Sequence, residues 1–381
     1  MRSKGLVAAV AGCAAIALVA TACGSKGGSK NSSSNTPSSN NSSSPTSSGS
    51  QTSSGGATLN ACMVLDTGGI DDHSFNETSY AGMTEAHAAH PNIKISYIPS
   101  NSGNDYTPNL NTEVSKGCDP IIAVGGLMAT NVKQAAQSNP KVHFAEVDNP
   151  SEAPNMYGMQ FNTAQGAFLG GILAAGMSKT GAVGTWGGAK IGPVTIYMDG
   201  FWEGVQYYNK INHKNVKVIG WNEKNQSGGT FVPGNNPFGD PNDGKSISQA
   251  QINQGADVLF PVAGGSGLGA GAAAAASGGK VNVIWVDTDG CESAAQYCKY
   301  FISSVTKGLA QAVSAYLNQA STGTFPSGNY IGTLANGGTG LAPYHQFQSK
   351  VPAALTTMIN QAKADIISGK VKITSPSQPT S

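Results

Sequence analysis

Short apolar runs rich in Val and Ile, each ending in Asp or Gly, recur along the chain: ACMVLD (61–66), PIIAVGG (120–126), VHFAEVD (142–148), AVGTWGG (182–188), ADVLFPVAGG (256–265) and VNVIWVD (281–287). Uninterrupted runs of this length fit strands of a parallel sheet covered on both faces. Amphipathic or Ala-rich stretches alternate with them and predict helices over 77–89, 129–138, 163–177, 201–209, 246–254, 267–276, 306–317 and 353–368. Such alternation builds βαβ units with right-handed crossovers, so the fold class is α/β with doubly wound parallel sheets. A Gly-, Asn- and Pro-rich segment, NQSGGTFVPGNNPFGDPNDGK (225–245), separates two groups of strands. Connections that long in compact domains are usually functional.

Residues at the carboxyl ends of parallel strands face the ligand crevice of such folds. Here those ends carry Asp66, Gly125-Gly126, Asp148, Gly187-Gly188, Gly264-Gly265 and Asp287. After Asp66 the chain reads TGGIDDHSFN, where two glycines permit a turn and Asp71 or Asp72 is placed to hold the loop and cap the next helix. Phe75 and Phe238 sit in polar loops beside Asn76 and Asp240 rather than inside apolar runs. Carboxylates accept hydrogen bonds from sugar hydroxyls, Asn reads an amide-like edge and rings stack on flat heterocycles. The set therefore suits a ligand made of a sugar and a base.

A competing chemistry lies in Gly265-x-Gly267-x-x-Ala270, which follows a predicted strand and opens a helix, with Asp287 about 20 residues on. That approximates a dinucleotide fingerprint and gives an NAD-dependent oxidoreductase as the alternative. No H-E-x-x-H, G-x-S-x-G or calcium-loop spacing occurs, so neither a catalytic metal nor a cofactor is expected otherwise.

Composition narrows the setting. Of 381 residues 11% are charged and the formal charge is +1, so nucleic acid is not an expected partner. A basic Met1–Lys4 precedes an apolar run, and Ala20-Thr21-Ala22-Cys23 resembles a lipobox. The reading is a lipoprotein signal peptide over 1–22, lipidation at Cys23, a disordered Ser/Asn/Gly tether over 23–57 and a disordered tail over 371–381, with the body held at the extracytoplasmic face of the cell membrane. The four remaining cysteines of an exported chain suggest disulfides, and Cys62–Cys118 with Cys291–Cys298 is the preferred connectivity of three. A monomer is the default expectation.

The stretches LDTGGIDDHSFNETSYAGM, DPIIAVGGLMATNVKQAAQSNPKVHFAEVD, GAFLGGILAAGMSKTGAVGTWGG, DGFWEGV, FGDPNDGKSISQAQINQGADVLFPVAGGSGLGAG, VIWVDTDG and ISSVTKGLAQAV follow one another in an order that resembles the basic membrane protein family, the purine-nucleoside-binding lipoproteins of ABC transporters. The resemblance spans residues 59–370. It implies a type I periplasmic-binding fold, with two lobes joined by a hinge crossed three times. Lobe 1 is then expected over 58–160 plus about 290–318, and lobe 2 over 161–289 plus about 319–370. It further implies that Asp66 and Asp287 hydrogen-bond ribose and base, that Phe75-Asn76 stack on and read the base, and that Asp148, Phe238, Gly265 and Lys307 complete the site. Lys307 is expected at a helix start, where the dipole disfavours a cation unless an acid or the ligand partners it. An apparent insertion before Phe238 leaves Phe231 as the other candidate, Gly308 stands where the family has Arg, and the Cys291–Cys298 loop is unusual. The implied function is delivery of a nucleoside to an ABC permease without catalysis. Capture of a sugar or other small ligand for a membrane receptor is the alternative.

Overall fold

The computed structural model describes residues 58–379. The signal peptide, Cys23 and the whole of the tether lie outside the described residues. The six runs that end in acids or glycines supply half the strands of two six-stranded sheets. The first contains β1 (Leu59–Leu65), β2 (Ile93–Ile98), β3 (Ile121–Val124), β4 (Phe144–Val147), β5 (Met156–Phe161) and β11 (Gly328–Gly332), in the order β11-β5-β4-β3-β1-β2. The second contains β6 (Ala182–Gly187), β7 (Lys217–Ile219), β8 (Val258–Val262), β9 (Asn282–Asp287), β10 (Phe301–Lys307) and β12 (Thr339–Leu341), in the order β12-β10-β9-β8-β6-β7. All pairings are parallel except β10 with β12.

The helices are α1 (Phe75–Ala89), α2 (Tyr106–Ser115), α3 (Ala129–Ser138), α4 (Ala164–Met177), α5 (Gly192–Asn212), α6 (Pro241–Asn253), α7 (Leu268–Ala276), α8 (Gly290–Ser293), α9 (Leu309–Ala320) and α10 (Ala353–Ile367). Each sheet is covered on both faces, which is why its inner strands lack polar alternation. In the first lobe Met63 and Leu65 meet Met83 of α1 and Val313 of α9, whereas Val64 and Ile121 meet Leu110 of α2 and Val132 of α3. In the second, Phe260 and Ile302 pack on Leu169, Phe201 and Leu355 from α4, α5 and α10, and Trp186 and Trp285 pack toward α7 on the other face.

The chain crosses between sheets after Phe161, after Lys307 and between Gly332 and Thr339. Lobe 1 is therefore 58–161 with 308–332, which corrects the expected boundaries near 290 and 318. Residues 290–307 belong to lobe 2, because β10 pairs beside β9 in the register Val305↔Val286. Residues 319–332 belong to lobe 1, where β11 pairs with β5. The helix expected from Thr306 begins at Leu309, since the preceding FISSVTK is strand. Its two serines sit inside a buried strand because they are satisfied internally: Ser303 Oγ donates to the Ala342 carbonyl at 2.7 Å and Ser304 Oγ accepts from Gly290 N at 2.9 Å.

The tail expected over 371–381 is a second correction. As far as Pro379 it is described, and Val371 and Ile373 pack against the lobe 2 core while Ser375 is buried. Disulfides join Cys62 to Cys118 and Cys291 to Cys298.

Candidate functional site

Asp66 follows β1 and is buried between the lobes. Its carboxylate fits because Gly125, past β3 with φ +119°, presents no Cβ; one there would collide with the Asp66 Oδ2. Asn76 Nδ2 donates to Asp66 Oδ1 at 3.0 Å. The loop after Asp66 closes on Asp72, whose carboxylate accepts from the backbone N–H of Ser74 (3.0 Å), Asn76 (2.8 Å) and Glu77 (3.1 Å) and so starts α1. Of the two acids weighed for the cap, Asp72 takes up these amides, from two residues before the Ser74 N-cap position. That start points Phe75 into the space between the sheets.

Asp148 directly follows β4 and Asp287 ends β9, both with left-handed backbones, φ 81° and 69°. Strained conformations of this kind persist where the surrounding structure over-determines them. Asp148 forms a buried ion pair of 2.6 Å with Lys307, the last residue of β10, so one sheet is tied to the other. The ammonium lies 4.8 Å from the Phe75 ring centre, 5.3 Å from that of Phe161 and 5.7 Å from that of Tyr197. Lys307 thus stands at a strand end and not at the expected helix start, and its partner is Asp148. Asp287 receives one donor from each lobe: Tyr197 Oη at 2.8 Å and Ser74 Oγ at 2.9 Å. A further cross-lobe bond runs from Trp285 Nε1 to the His73 carbonyl at 3.3 Å.

These groups line an interlobe cavity whose empty space, including the part open to solvent, is ≈ 460 Å³. Phe75 enters from lobe 1 and Phe238 from the long lobe 2 segment, its ring lying over Gly188 where a side chain would clash. The start of α5 contributes Pro193, Val194 and Tyr197, and its N-cap residue Ile191 joins them. Four carboxylates, Asp66, Asp72, Asp148 and Asp287, face one ammonium. Burial pushes Asp66 well above the ordinary carboxylate range, against the Asn76 hydrogen bond. Burial also raises Asp148, opposed by Lys307, and raises Asp72 to about 7 against its three backbone donors. The Tyr197 hydroxyl is likewise held well above its usual value by burial and then by Asp287.

Of the residues expected from sequence, Asp66, Phe75, Asp148, Phe238, Asp287 and Lys307 line the cavity and two do not. Asn76 sits fully buried behind Asp66, with its Oδ1 unpartnered. Gly265 lies one residue beyond the lining Gly264, and its Cα faces the Phe238 carbonyl. Phe231 packs edge-on to Trp221 and over Gly187, away from the cavity. The glycine turn weighed as a dinucleotide fingerprint is filled by the chain itself. There Ser266 N donates to Phe238 O at 3.1 Å, and Ser266 Oγ accepts from Asp240 N at 2.8 Å and donates to Pro237 O at 3.0 Å. Sequence reasoning missed Ile191 and the three α5 residues Pro193, Val194 and Tyr197. The signal available was Gly192-Pro193, because proline favours the first helical turn and would have moved the helix start forward from 201.

Two parallel-sheet lobes, three crossings and a carboxylate-lined cavity at the strand ends between them define a solute-binding protein of the type I periplasmic-binding fold. The family described as ABC transporter substrate-binding protein PnrA-like matches residues 59–374, and the chain belongs to that family. It is 27% identical over 336 residues to the ABC transporter nucleoside-binding protein BmpA of Lactococcus lactis subsp. cremoris, covering 83% of this chain and 89% of that protein. It is 29% identical over 275 residues to basic membrane protein A of Borreliella burgdorferi, covering 71% and 74%. Among solved structures, an ABC transporter solute-binding protein from Aeropyrum pernix K1 shares the fold with a TM-score of 0.74 at 23% identity, over 84% of this chain and 94% of that one.

Proposed function

We propose that this chain captures a nucleoside, with preference for a purine, and presents it to an ABC permease while Cys23 carries the lipid that holds it at the extracytoplasmic face of the membrane. The observation that carries the ligand class is the cavity's charge and shape. Two phenylalanines enter from opposite lobes, four carboxylates offer acceptors, and the single ammonium is already paired with Asp148. Ribose hydroxyls and base N–H groups are donors and match acceptors; a flat base matches rings. A phosphate would meet carboxylates with no uncommitted cation, so nucleotides are disfavoured. The similarity to the nucleoside-binding protein BmpA of Lactococcus lactis supports the same class.

Isothermal titration with guanosine, adenosine, inosine, uridine, ribose, glucose and guanosine monophosphate tests this. Purine nucleosides should bind most tightly and the monophosphate at least ~100-fold more weakly, an unscreened like-charge penalty of a few kcal/mol. Binding by none of the nucleosides would remove the ligand assignment. Phe75→Ala should cost a nucleoside about 1–3 kcal/mol of stacking and bare ribose far less. Equal losses would contradict stacking. Labelling of the intact chain with a radioactive fatty acid, and its loss in Cys23→Ser, tests the anchor.

A further inference from the structure

The segment Thr374–Gln378 lies along α5, the helix whose first turn faces the cavity. Ser375 Oγ donates to Asp199 Oδ2 at 2.6 Å, and Asp199 is fully buried. The other carboxylate oxygen, Asp199 Oδ1, accepts from Trp221 Nε1 at 2.8 Å and Gln226 Nε2 at 2.9 Å. Thr374 N donates to Glu203 Oε1 at 2.7 Å, one turn further along α5, and Thr374 Oγ1 reaches Glu223 Oε1 at 3.1 Å. Ser377 Oγ meets Thr195 Oγ1 at 2.9 Å, within the turn that carries Pro193, Val194 and Tyr197.

One strand of chain therefore touches both elements that supply the lobe 2 half of the site. It grips α5 at Thr195, Asp199 and Glu203. Through Asp199 and Glu223 it also grips the start of the segment that ends in Phe238. We propose that residues 374–378 are a positioning strap: they hold the α5 start and the 221–240 segment in the register that places Tyr197 and Phe238 against the ligand, with Ser375 as the central residue. A buried carboxylate whose Oδ2 loses its donor keeps its desolvation penalty, so the hub at Asp199 loosens when Ser375 is removed. The effect on binding rests on the nucleoside reading above, whereas the effect on backbone order does not.

The test compares the intact chain, Ser375→Ala, Ser375→Thr and a chain ended after Ile373. Two measurements are made: nucleoside titration, and amide hydrogen exchange over residues 192–199 and 221–240. Ser375→Ala should weaken nucleoside binding about 10-fold, which is ~1.4 kcal/mol. It should accelerate exchange in those two stretches, with α1 of lobe 1 unchanged, and Ser375→Thr should recover both. Exchange in both stretches unchanged in Ser375→Ala overturns the strap, as does full nucleoside affinity in Ser375→Ala. If the intact chain binds no nucleoside, the ligand reading fails, and exchange alone decides the strap. If the shortened chain does not fold, the two Ser375 variants still decide it.

Discussion

Replacing Lys307 by Met removes one partner of a buried pair and leaves the other in place. The pair is 2.6 Å long and its side chains are 3% and 8% exposed, so little water can replace the ammonium. Breaking such a pair costs about 3–5 kcal/mol, because the remaining charge stays desolvated. Asp148 can escape part of that cost by taking up a proton. Its carboxyl is already raised by burial while Lys307 opposes the rise, and deleting Lys307 removes the opposing influence. A carboxyl whose folded value lies above its unfolded one stabilises most below the unfolded value of ~3.9 and loses that contribution as pH climbs through the folded value. Lys307→Met should therefore be closest to the parent near pH 5 and furthest below it near pH 8. Urea unfolding across that range, with Asp148→Asn and the double variant, gives the cycle. The double variant should recover most of the loss. A deficit under about 1 kcal/mol at pH 8, or no recovery on adding Asp148→Asn, would refute the reasoning.

Gly125→Ala forces a Cβ into the Asp66 carboxylate at φ +119°, whereas Gly117→Ala meets open space at φ +76°. Backbone strain of about 1–3 kcal/mol is common to both, so only Gly125→Ala should also lose nucleoside affinity; equal titrations would contradict the role given to Gly125. Glu146, buried in β4, is pushed by burial to about 8 against its Asn149 hydrogen bond. Its contribution is present at low pH and lost as pH rises through 8, so Glu146→Gln should match the parent near pH 4 and melt higher near pH 9, and parallel melting curves would rule this out. The Cys62–Cys118 bridge closes a separation of 56 and Cys291–Cys298 one of 7, which the chain-entropy relation turns into about 4 and about 2.5 kcal/mol. Paired Cys→Ala variants compared by urea unfolding should preserve that order.

Much of the architecture could be read directly because doubly covered strands leave a local mark. Runs such as IIAV and VNVIWV need no alternation, and their terminal acids and glycines mark the crevice. The strand FISSVTK escaped because Ser303 and Ser304 read as surface until Ala342 and Gly290 supply their partners. That missed strand shifted the lobe boundaries by one sheet position. β2, β5, β7, β11, β12 and α2 were also missed; three of these strands span only three to five residues, and α2 is polar with a proline inside. In the site, Asp66, Asp148 and Asp287 were legible because their position on a strand end is a property of the sequence nearby. Ile191, Val194 and Tyr197 look like ordinary helix core, and only the closing of one lobe on the other turns them toward the cavity.

The left-handed backbones at residues 148 and 287 also limit what can replace them. Asp, Asn and Gly tolerate that region, and other side chains do so at a cost. Of those three, one carries a charge. Two independent filters, the shape of the main chain and the hydrogen bonds of the carboxylate, thus admit the same residue at both positions. Glu, the nearest chemical equivalent, passes the second filter and fails the first. Divergence toward a new ligand in this cavity therefore has more room at Asp66, where no such backbone filter acts, and at the apolar α5 residues than at either of these acids.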